Sequence, residues 1–139
     1  MIKAAGFIGT NFGGTDKVAM VSPLDIATAA AEELETPATG IKIRYVASDD
    51  LTCNDTAAIL GAAIGKPDLQ WKLFSDEETK AALESNGTPP HVANLLVELN
   101  AAIHSGAMRE DYDLHKPILG KIKLEDFAKE FAVVYHQKK

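Results

Sequence analysis

The sequence predicts an α/β fold with three short strands and about five helices, in the order β-α-β-α-β-α-α-loop-α. Three observations predict it: apolar residues recur with helical spacing in five segments, they alternate with polar residues in three others, and capping signals stand at three of the helix starts. We find no internal repeat, low-complexity tract or linker. Residues 1–139 are therefore expected to form a single domain.

Three of the predicted helices start at the same kind of capping sequence. A Ser or Thr can accept a hydrogen bond from a free backbone N–H, and an acidic residue three positions later can reach back to the cap. These helices are expected to run to about residues 34, 64 and 86. The six predicted structural caps are Ser22 with Asp25, Thr52 with Asp55, and Ser75 with Glu78.

Two further helices are predicted from periodicity alone. One carries the longest apolar stripe of the chain, begins behind Pro89-Pro90 and ends at Ser105-Gly106. The other is a C-terminal helix over about 124–134, which is apolar enough to dock on the rest of the domain. The stripe of the first helix consists of Val92, Leu95, Leu96, Leu99 and Ile103.

Three runs are typical of short strands: KVAMV (17–21), IKIRYV (41–46) and LQWKLF (69–74). The second run alternates its Ile and Tyr residues with Lys42 and Arg44, as a strand with one buried face does. Each run lies between predicted helices or leads directly into one, which is the pattern of an α/β protein.

Composition narrows the classes of function. Hydrophobic residues make up 46% and charged residues 24%, as in soluble globular proteins. The net charge of −6 and the scattered cations make nucleic acid an unexpected partner, and no apolar run reaches the ~20 residues that span a bilayer. The single cysteine fits a reducing compartment, and the four histidines lack metal-ligand spacing. We expect a cytoplasmic protein without a metal, a nucleic-acid partner or a membrane partner.

The stretch AAGFIGTNFGG (4–14) is similar to a glycine-rich turn for the phosphates of a dinucleotide. Such a turn needs a buried strand before it and a long helix after it. Only five residues precede Gly6, and a strand-like run follows. We therefore expect a surface turn with Gly13 and Gly14 at positive φ, and no cofactor-binding residue.

Tyr112 and Lys116 have the Y-x-x-x-K spacing of the catalytic pair of short-chain dehydrogenases. That chemistry needs both residues on one helix face, so that the lysine lowers the pKa of the tyrosine. Pro117 pushes Lys116 away from helical geometry, and the residues before Tyr112 are polar and without period. Both are expected to be loop residues, and no catalytic residue is predicted.

The segment GTPPHVANLL (87–96) provides the candidates for a substrate pocket. Thr88, His91 and Asn94 surround the start of a helix, where free N–H groups favour anionic ligands. The alternative is a rigid loop that carries exposed polar residues.

Three segments resemble NAD(P)-binding proteins of the NmrA-like and atypical short-chain dehydrogenase type, which are similar to NAD-dependent epimerases. They are DKVAMVSPLDIATAAAEEL (16–34), GIKIRYVASDDLTCNDTAAILGAAIGKP (40–67) and KLEDFAKEFAVVY (123–135). The resemblance implies the C-terminal, substrate-side half of a Rossmann-like protein, with the N-terminal cofactor-binding half missing. It therefore implies that this chain alone binds no cofactor, and that a full-length parent binds NAD(P).

Two functions remain open at this point. In the first, the chain is the substrate-side portion of an NAD(P)-dependent oxidoreductase or epimerase-like protein that acts on a small molecule, and it is inactive alone. In the second, it is a standalone interaction module, similar to a redox-sensing regulator, that retains half of an old fold. The unpaired edges of residues 41–46 would then favour a homo-oligomer.

Overall fold

A computed structural model of the chain describes residues 2–37 and 40–137. Within these ranges the fold is α/β, as predicted. It has seven α-helices, four short strands and one 3-10 turn at Ala107–Arg109, where about five helices and three strands were predicted; α1, α6, β1 and β3 were not foreseen, and the predicted strand at 41–46 is absent. The strands are β1 (Ile8–Thr10), β2 (Lys17–Met20), β3 (Asp49–Thr52) and β4 (Trp71–Leu73). The helices are α1 (Ile2–Ala5), α2 (Pro23–Glu35), α3 (Cys53–Ala63), α4 (Asp76–Ser85), α5 (Pro90–His104), α6 (Glu110–Leu114) and α7 (Leu124–Gln137).

The described strands form two separate two-stranded sheets. β1 runs parallel to β4, with Ile8 opposite Trp71, and β2 runs antiparallel to β3, with Lys17 opposite Thr52. Helix α3 packs against α7, and α4 packs against α5. None of the helices in the described ranges is both long and apolar enough to cross a bilayer.

Two helices begin at complete capping boxes. Thr52 Oγ1 accepts from the N–H of Asp55 at 3.1 Å, and the Asp55 carboxylate accepts from the N–H of Thr52 at 3.3 Å. At α4, Ser75 Oγ accepts from the N–H of Glu78 at 3.1 Å, and Glu78 accepts from the N–H of Ser75 at 2.9 Å. These reciprocal bonds satisfy backbone donors that the first helical turn leaves free.

Asp25 does not complete a capping box at α2, so its predicted role as a cap is wrong. Ser22 does act as N-cap, because its Oγ accepts from the N–H of Leu24 at 3.3 Å. The N–H of Ser22 donates instead to Ser48 Oγ at 2.8 Å. With that donor occupied, the Asp25 carboxylate turns away from the cap and contacts Ser48 and the loop before α7.

The predicted strand over residues 41–46 is also wrong. These residues have no regular secondary structure, and none of the backbone hydrogen bonds found between described segments involves them. A strand needs a neighbour, and β2 pairs instead with residues 49–52 further along the chain. The alternating pattern is present, but no described strand lies beside it.

The glycine stretch differs from the predicted surface turn, because its centre forms β1 and Asn11 behind it is buried. Gly14 has the expected positive φ of 61°, whereas Gly13 does not. Gly13 is instead in close contact with Trp71, whose ring would meet a Cβ at 2.6 Å. β1 leads to a second strand and not to a helix, so the stretch lacks the helix N-terminus that a dinucleotide turn requires.

Small side chains dominate the buried core of the described residues. Cys53 and Ala57 of α3 and Ala93 of α5 are almost completely inaccessible, and so is Ala128 of α7. Many larger apolar residues lie on the surface instead. The most exposed of them are Leu34, Ile41, Ile43, Leu114 and Ile118.

Candidate functional site

An open groove of about 750 Å³ lies beside α2 and is here called the α2 groove. Its walls are the polar side of α2, residues 43–46 and residues 117–121. Ile43, Ile118 and Leu119 supply its apolar lining, and Tyr45 and Asp111 face it from the other side. The Tyr45 hydroxyl donates to the Asp111 carboxylate at 2.5 Å, and this bond raises the pKa of the tyrosine.

A second groove of about 520 Å³, the α7 groove, lies between residues 20–24, Ser48, Asp49 and the first turns of α7. Its apolar wall includes Val21, Leu24 and Phe127, all of which are substantially exposed. Polar groups lie at its rim, where Lys123 Nζ donates to the Ser48 carbonyl at 2.6 Å. The groove therefore offers an apolar surface with a few polar groups, as small-molecule sites commonly do.

Asp25 lies between the two grooves and joins three segments. Its carboxylate accepts from Ser48 Oγ at 2.7 Å, from the N–H of Ile122 at 3.2 Å and from the N–H of Lys121 at 3.4 Å. The Ser48 hydrogen bond, the two backbone donors and the charge of Lys123 lower the pKa of Asp25. The carboxylate thereby fixes the loop that separates the two grooves.

Gly120 allows this loop to approach α2 closely. A Cβ at this position would lie directly against the Asp25 carboxylate, and the N–H of Gly120 donates to the carbonyl of Ala47 at 2.7 Å. Glycine is therefore needed at position 120 because any side chain would clash with Asp25. Its backbone conformation does not require glycine, since its φ is not positive. This constraint was not readable from the sequence, because it depends on a residue about ninety-five positions away.

Asp49 and Asp50 follow Ser48 in the chain. Asp49 contacts the start of α7, and Asp50 contacts Arg109 of the 3-10 turn. Asp49 accepts from the N–H of Leu124 at 2.7 Å and so satisfies a free donor at the start of α7. Asp50 accepts two hydrogen bonds from Arg109, at 2.9 and 3.0 Å. Arg109 also binds Asp113, and these contacts lower the pKa of Asp50 and bring that of Asp113 to about 2.

The structure does not make a catalytic pair of Tyr112 and Lys116. Tyr112 is buried in α6 and packs edge-on against Tyr45 at 5.7 Å between ring centroids, so its predicted loop position is wrong. Burial raises the pKa of Tyr112, whereas an active-site tyrosine needs a lowered one. Lys116 lies beyond α6 and binds Asp113 at 3.1 Å.

The predicted substrate residues lie away from both grooves. His91 and Asn94 are exposed on the first turns of α5, and Thr88 is half-buried in the loop before it. None of the three lines the α2 or α7 groove. A role for them in substrate binding stays a prediction.

Cys53 is a buried cysteine, and the histidines of the described ranges take part in no metal-binding cluster. Cys53 is fully buried, and burial, together with the charge of Asp16, raises the pKa of its thiol to about 11. Residues 2–37 and 40–137 contain no cluster of His, Cys, Asp and Glu that could hold a metal ion.

The fold matches solved structures of two NADP(H)-binding reductases. Citrobacter sp. triphenylmethane reductase complexed with NADP(H) superposes with a TM-score of 0.71 and 28% identity, over 94% of this chain and 47% of that chain. The NADPH-dependent quinone oxidoreductase from Escherichia coli gives 0.70 and 25%, over 91% and 45%. This chain resembles about half of such a reductase. No protein-family model and no curated protein matches it.

These structures confirm the resemblance to NAD(P)-binding reductases that the NmrA-like and atypical short-chain dehydrogenase motifs predicted. The chain spans about half the length of the reductases it matches, which is consistent with the predicted C-terminal portion of a Rossmann-like fold. The glycine stretch itself does not have the form of a dinucleotide turn, because it is followed by a strand and not by a helix.

Proposed function

We propose that this chain is the substrate-side portion of an NAD(P)-dependent oxidoreductase or epimerase-like protein of the NmrA-like, atypical short-chain dehydrogenase type. The observation that carries the proposal is the match of 94% of the chain to about half of triphenylmethane reductase. In this proposal the chain is inactive alone, and a full-length parent supplies the NAD(P) site. The geometry of β1 and of Tyr112 supports the absence of cofactor and catalytic residues from this portion.

The α7 groove is the proposed place for the substrate. The names of the two reductases describe triphenylmethane and quinone substrates, both of which are ring systems with large apolar faces. Val21, Leu24 and Phe127 offer an apolar wall for such a ring, and the Asp25 contacts hold the neighbouring loop in place. The proposed substrate class is therefore a small aromatic or quinonoid molecule.

Two measurements test the proposal. Titration of NADPH into the purified chain, followed by nicotinamide fluorescence, should show no saturable binding. In the full-length parent, Phe127→Ala should lower kcat/KM for a quinone several-fold without changing the affinity for NADPH. The control is Val133→Ala, which removes a similarly exposed side chain of α7 that does not line the groove. Micromolar binding of NADPH to the chain alone would contradict the missing cofactor site.

The second candidate is a standalone interaction module that self-associates. The exposure of Ile41 and Ile43 favours it, because apolar side chains at an unpaired edge promote association. Sedimentation of the chain over a range of concentrations tests it. A monodisperse monomer that unfolds cooperatively would argue against this candidate.

A further inference from the structure

Asn86 and Gly87 form the only Asn-Gly pair of the sequence, and they lie where α4 ends. Asn86 is the C-cap of this helix, and its side chain is exposed. Gly87 has a φ of 90°, which a residue with a side chain rarely adopts. The pair connects α4 to the loop that leads into α5.

An Asn-Gly pair in a flexible chain loses the side-chain amide of its asparagine without an enzyme. The backbone nitrogen of the glycine attacks Cγ of the asparagine and forms a C–N bond, and the amide nitrogen leaves as ammonia with the proton of the glycine N–H. Water then opens the cyclic imide at either of its carbonyl carbons. The product is aspartate or isoaspartate, so the net reaction consumes water and releases ammonia. Glycine favours the attack because no side chain hinders its nitrogen.

Hydrogen bonds hold both reacting groups of this pair in the folded chain. The N–H of Gly87 donates to the carbonyl of Glu84 at 3.0 Å. Nδ2 of Asn86 donates to the carbonyl of Ala82 at 2.7 Å. The attacking nitrogen and the leaving amide are therefore both engaged as long as the end of α4 stays closed.

A second backbone hydrogen bond closes the same end of α4. The N–H of Thr88 donates to the carbonyl of Leu83 at 3.0 Å. Together with the bond of Gly87, it forms a Schellman motif, in which a left-handed glycine ends a helix. Helix ends at the surface open locally at a lower free-energy cost than global unfolding. Opening of this end releases the nitrogen of Gly87.

We propose that Asn86 is a site of spontaneous deamidation that the Schellman motif of α4 protects, so that the opening of this helix end sets the rate of conversion. The modification goes beyond the proposed function and does not depend on it. It requires only water as a reactant, and it adds a carboxylate to the surface of the chain.

Both products loosen the end of α4. Aspartate replaces the amide that donates to Ala82 with a carboxylate, which is unfavourable beside the carbonyl groups of a helix C-terminus. Isoaspartate lengthens the backbone between residues 86 and 87 and so shifts the two donors of the Schellman motif away from their acceptors. Because α4 packs against α5, the modification acts on the pair of helices that surrounds residues 86–89.

The test is peptide mass spectrometry of the purified chain after incubation at neutral pH, either folded or in concentrated urea. We expect Asn86 to convert at least about tenfold more slowly in the folded chain. Amide hydrogen exchange of Gly87 should be slowed by a similar factor, because both processes need the release of the same N–H. The other asparagines do not precede glycine and should keep their amides over the same period; they are Asn11, Asn54, Asn94 and Asn100.

A matched pair of variants tests whether the opening is local to α4. Ala82→Gly loosens the last turns of α4, and Ala62→Gly loosens the last turn of α3; both alanines are exposed. Ala82→Gly should speed the conversion of Asn86 in the folded chain roughly fivefold, and Ala62→Gly should leave it unchanged. Neither variant should change the rate in urea.

Equal rates of conversion in the folded and the unfolded chain would overturn the protection by the Schellman motif. A lack of conversion in urea would overturn the site itself. Equal acceleration by Ala82→Gly and Ala62→Gly would show that Asn86 reacts only after global unfolding, and an Ala82→Gly chain that reacts no faster would equally overturn local opening. In the Asn86→Asp variant, amide exchange of Thr88 should be several-fold faster, and unchanged exchange would overturn the loosening of α4.

Discussion

Asp25 shows how one side chain can connect parts of the chain that are distant in sequence. The capping pattern placed it correctly in the first turn of α2, but the pattern could not show that Ser48 takes the donor it was expected to bind. Local rules describe the neighbours three or four residues away. They carry no information about a loop that returns about ninety-five residues later, so the contact with Lys121 was unpredictable.

The close approach of Gly120 to Asp25 leads to a stability prediction. Gly120→Ala should lower the free energy of unfolding by about 1–3 kcal/mol, because the new methyl group meets a carboxylate that three hydrogen bonds hold in place. Chemical denaturation measures the change. In an Asp25→Ala background the same substitution should cost much less, since the clash is removed. An equal cost in both backgrounds would show that Asp25 is not the cause.

Arg109 leads to a prediction about acid stability. Asp50 and Asp113 have lowered pKa values in the folded state, so their stabilising contribution is present above about pH 4 and is lost as the pH falls through the folded-state pKa values, of which that of Asp113 is about 2. Arg109→Gln should lower the free energy of unfolding at neutral pH by roughly 1 kcal/mol, chiefly through Asp50, and should flatten the pH dependence in this window.

Denaturant melts between pH 2 and 7 measure both effects of Arg109→Gln. Lys129→Gln is the control, because the Lys129–Asp126 pair is far more exposed, with side-chain exposures of 75% and 52%. Lys129→Gln should change the free energy of unfolding little at neutral pH. A pH profile for Arg109→Gln that parallels the unmodified chain would contradict the role of the Arg109 contacts.

At the scale of the elements, five helices and two of the three predicted strands are confirmed: β2 lies in the predicted run 17–21 and β4 in the predicted run 69–74. The bounds of α2, α3, α4, α5 and α7 agree with the sequence to within a few residues, because caps, prolines and glycines act locally. A strand forms only beside a partner strand. Residues 41–46 therefore have the alternating sequence of a strand but no strand structure. β1 was missed because its glycines were interpreted as a turn.

The apolar faces of the helices were predicted from periodicity, and several of the large residues on these faces are exposed. On α5 the buried residues are Ala93 and Val97, whereas Leu95 and Leu99 of the predicted stripe are 62% and 45% exposed. Periodicity identifies an apolar face, but it cannot show whether the described part of the chain covers that face. The substrate residues predicted at the start of α5 likewise depended on a local signal; they line neither the α2 groove nor the α7 groove, and their role stays a prediction.

Helices α3 and α4 begin at reciprocal capping boxes, whereas α2 begins at a single cap hydrogen bond. This difference should be visible in the free energy of unfolding of cap variants. Thr52→Ala and Ser75→Ala should each lower the free energy of unfolding by about 1 kcal/mol, since each removes a reciprocal capping box. Ser22→Ala should cost less than half as much, because Ser22 makes one bond of 3.3 Å and has no reciprocal partner. Thermal or denaturant unfolding compares the three. An equal cost at Ser22 would contradict this ranking.

For the whole molecule, the most informative feature is the difference in size between the buried and the exposed apolar side chains. The core of the described residues consists mainly of small side chains, while large apolar groups such as Leu34, Ile41 and Ile118 are exposed. Large exposed apolar groups mark an interaction site where they form a contiguous patch, and Ile43 and Ile118 do line one groove. The reductases that the chain matches have about as much chain again outside the matched region, which is the proposed cover.

The isolated chain should therefore bind a hydrophobic dye. Anilinonaphthalene sulfonate should fluoresce strongly with the 139-residue chain and weakly with the full-length parent at equal molar concentration, because the other half covers the apolar surface. Near-ultraviolet circular dichroism checks that the isolated chain retains fixed tertiary packing. Equal dye binding by the two proteins would mean that the surface stays open in the parent.

The central claim is that this chain works as half of a reductase, and the mass of its polypeptide in the source cells tests that claim most directly. An immunoblot with an antibody to residues 76–137 measures it. We predict a single band at roughly twice the 14.9 kDa of this chain, because the chain covers 47% of triphenylmethane reductase. A single band at 14.9 kDa would contradict the account and would favour a standalone, self-associating module.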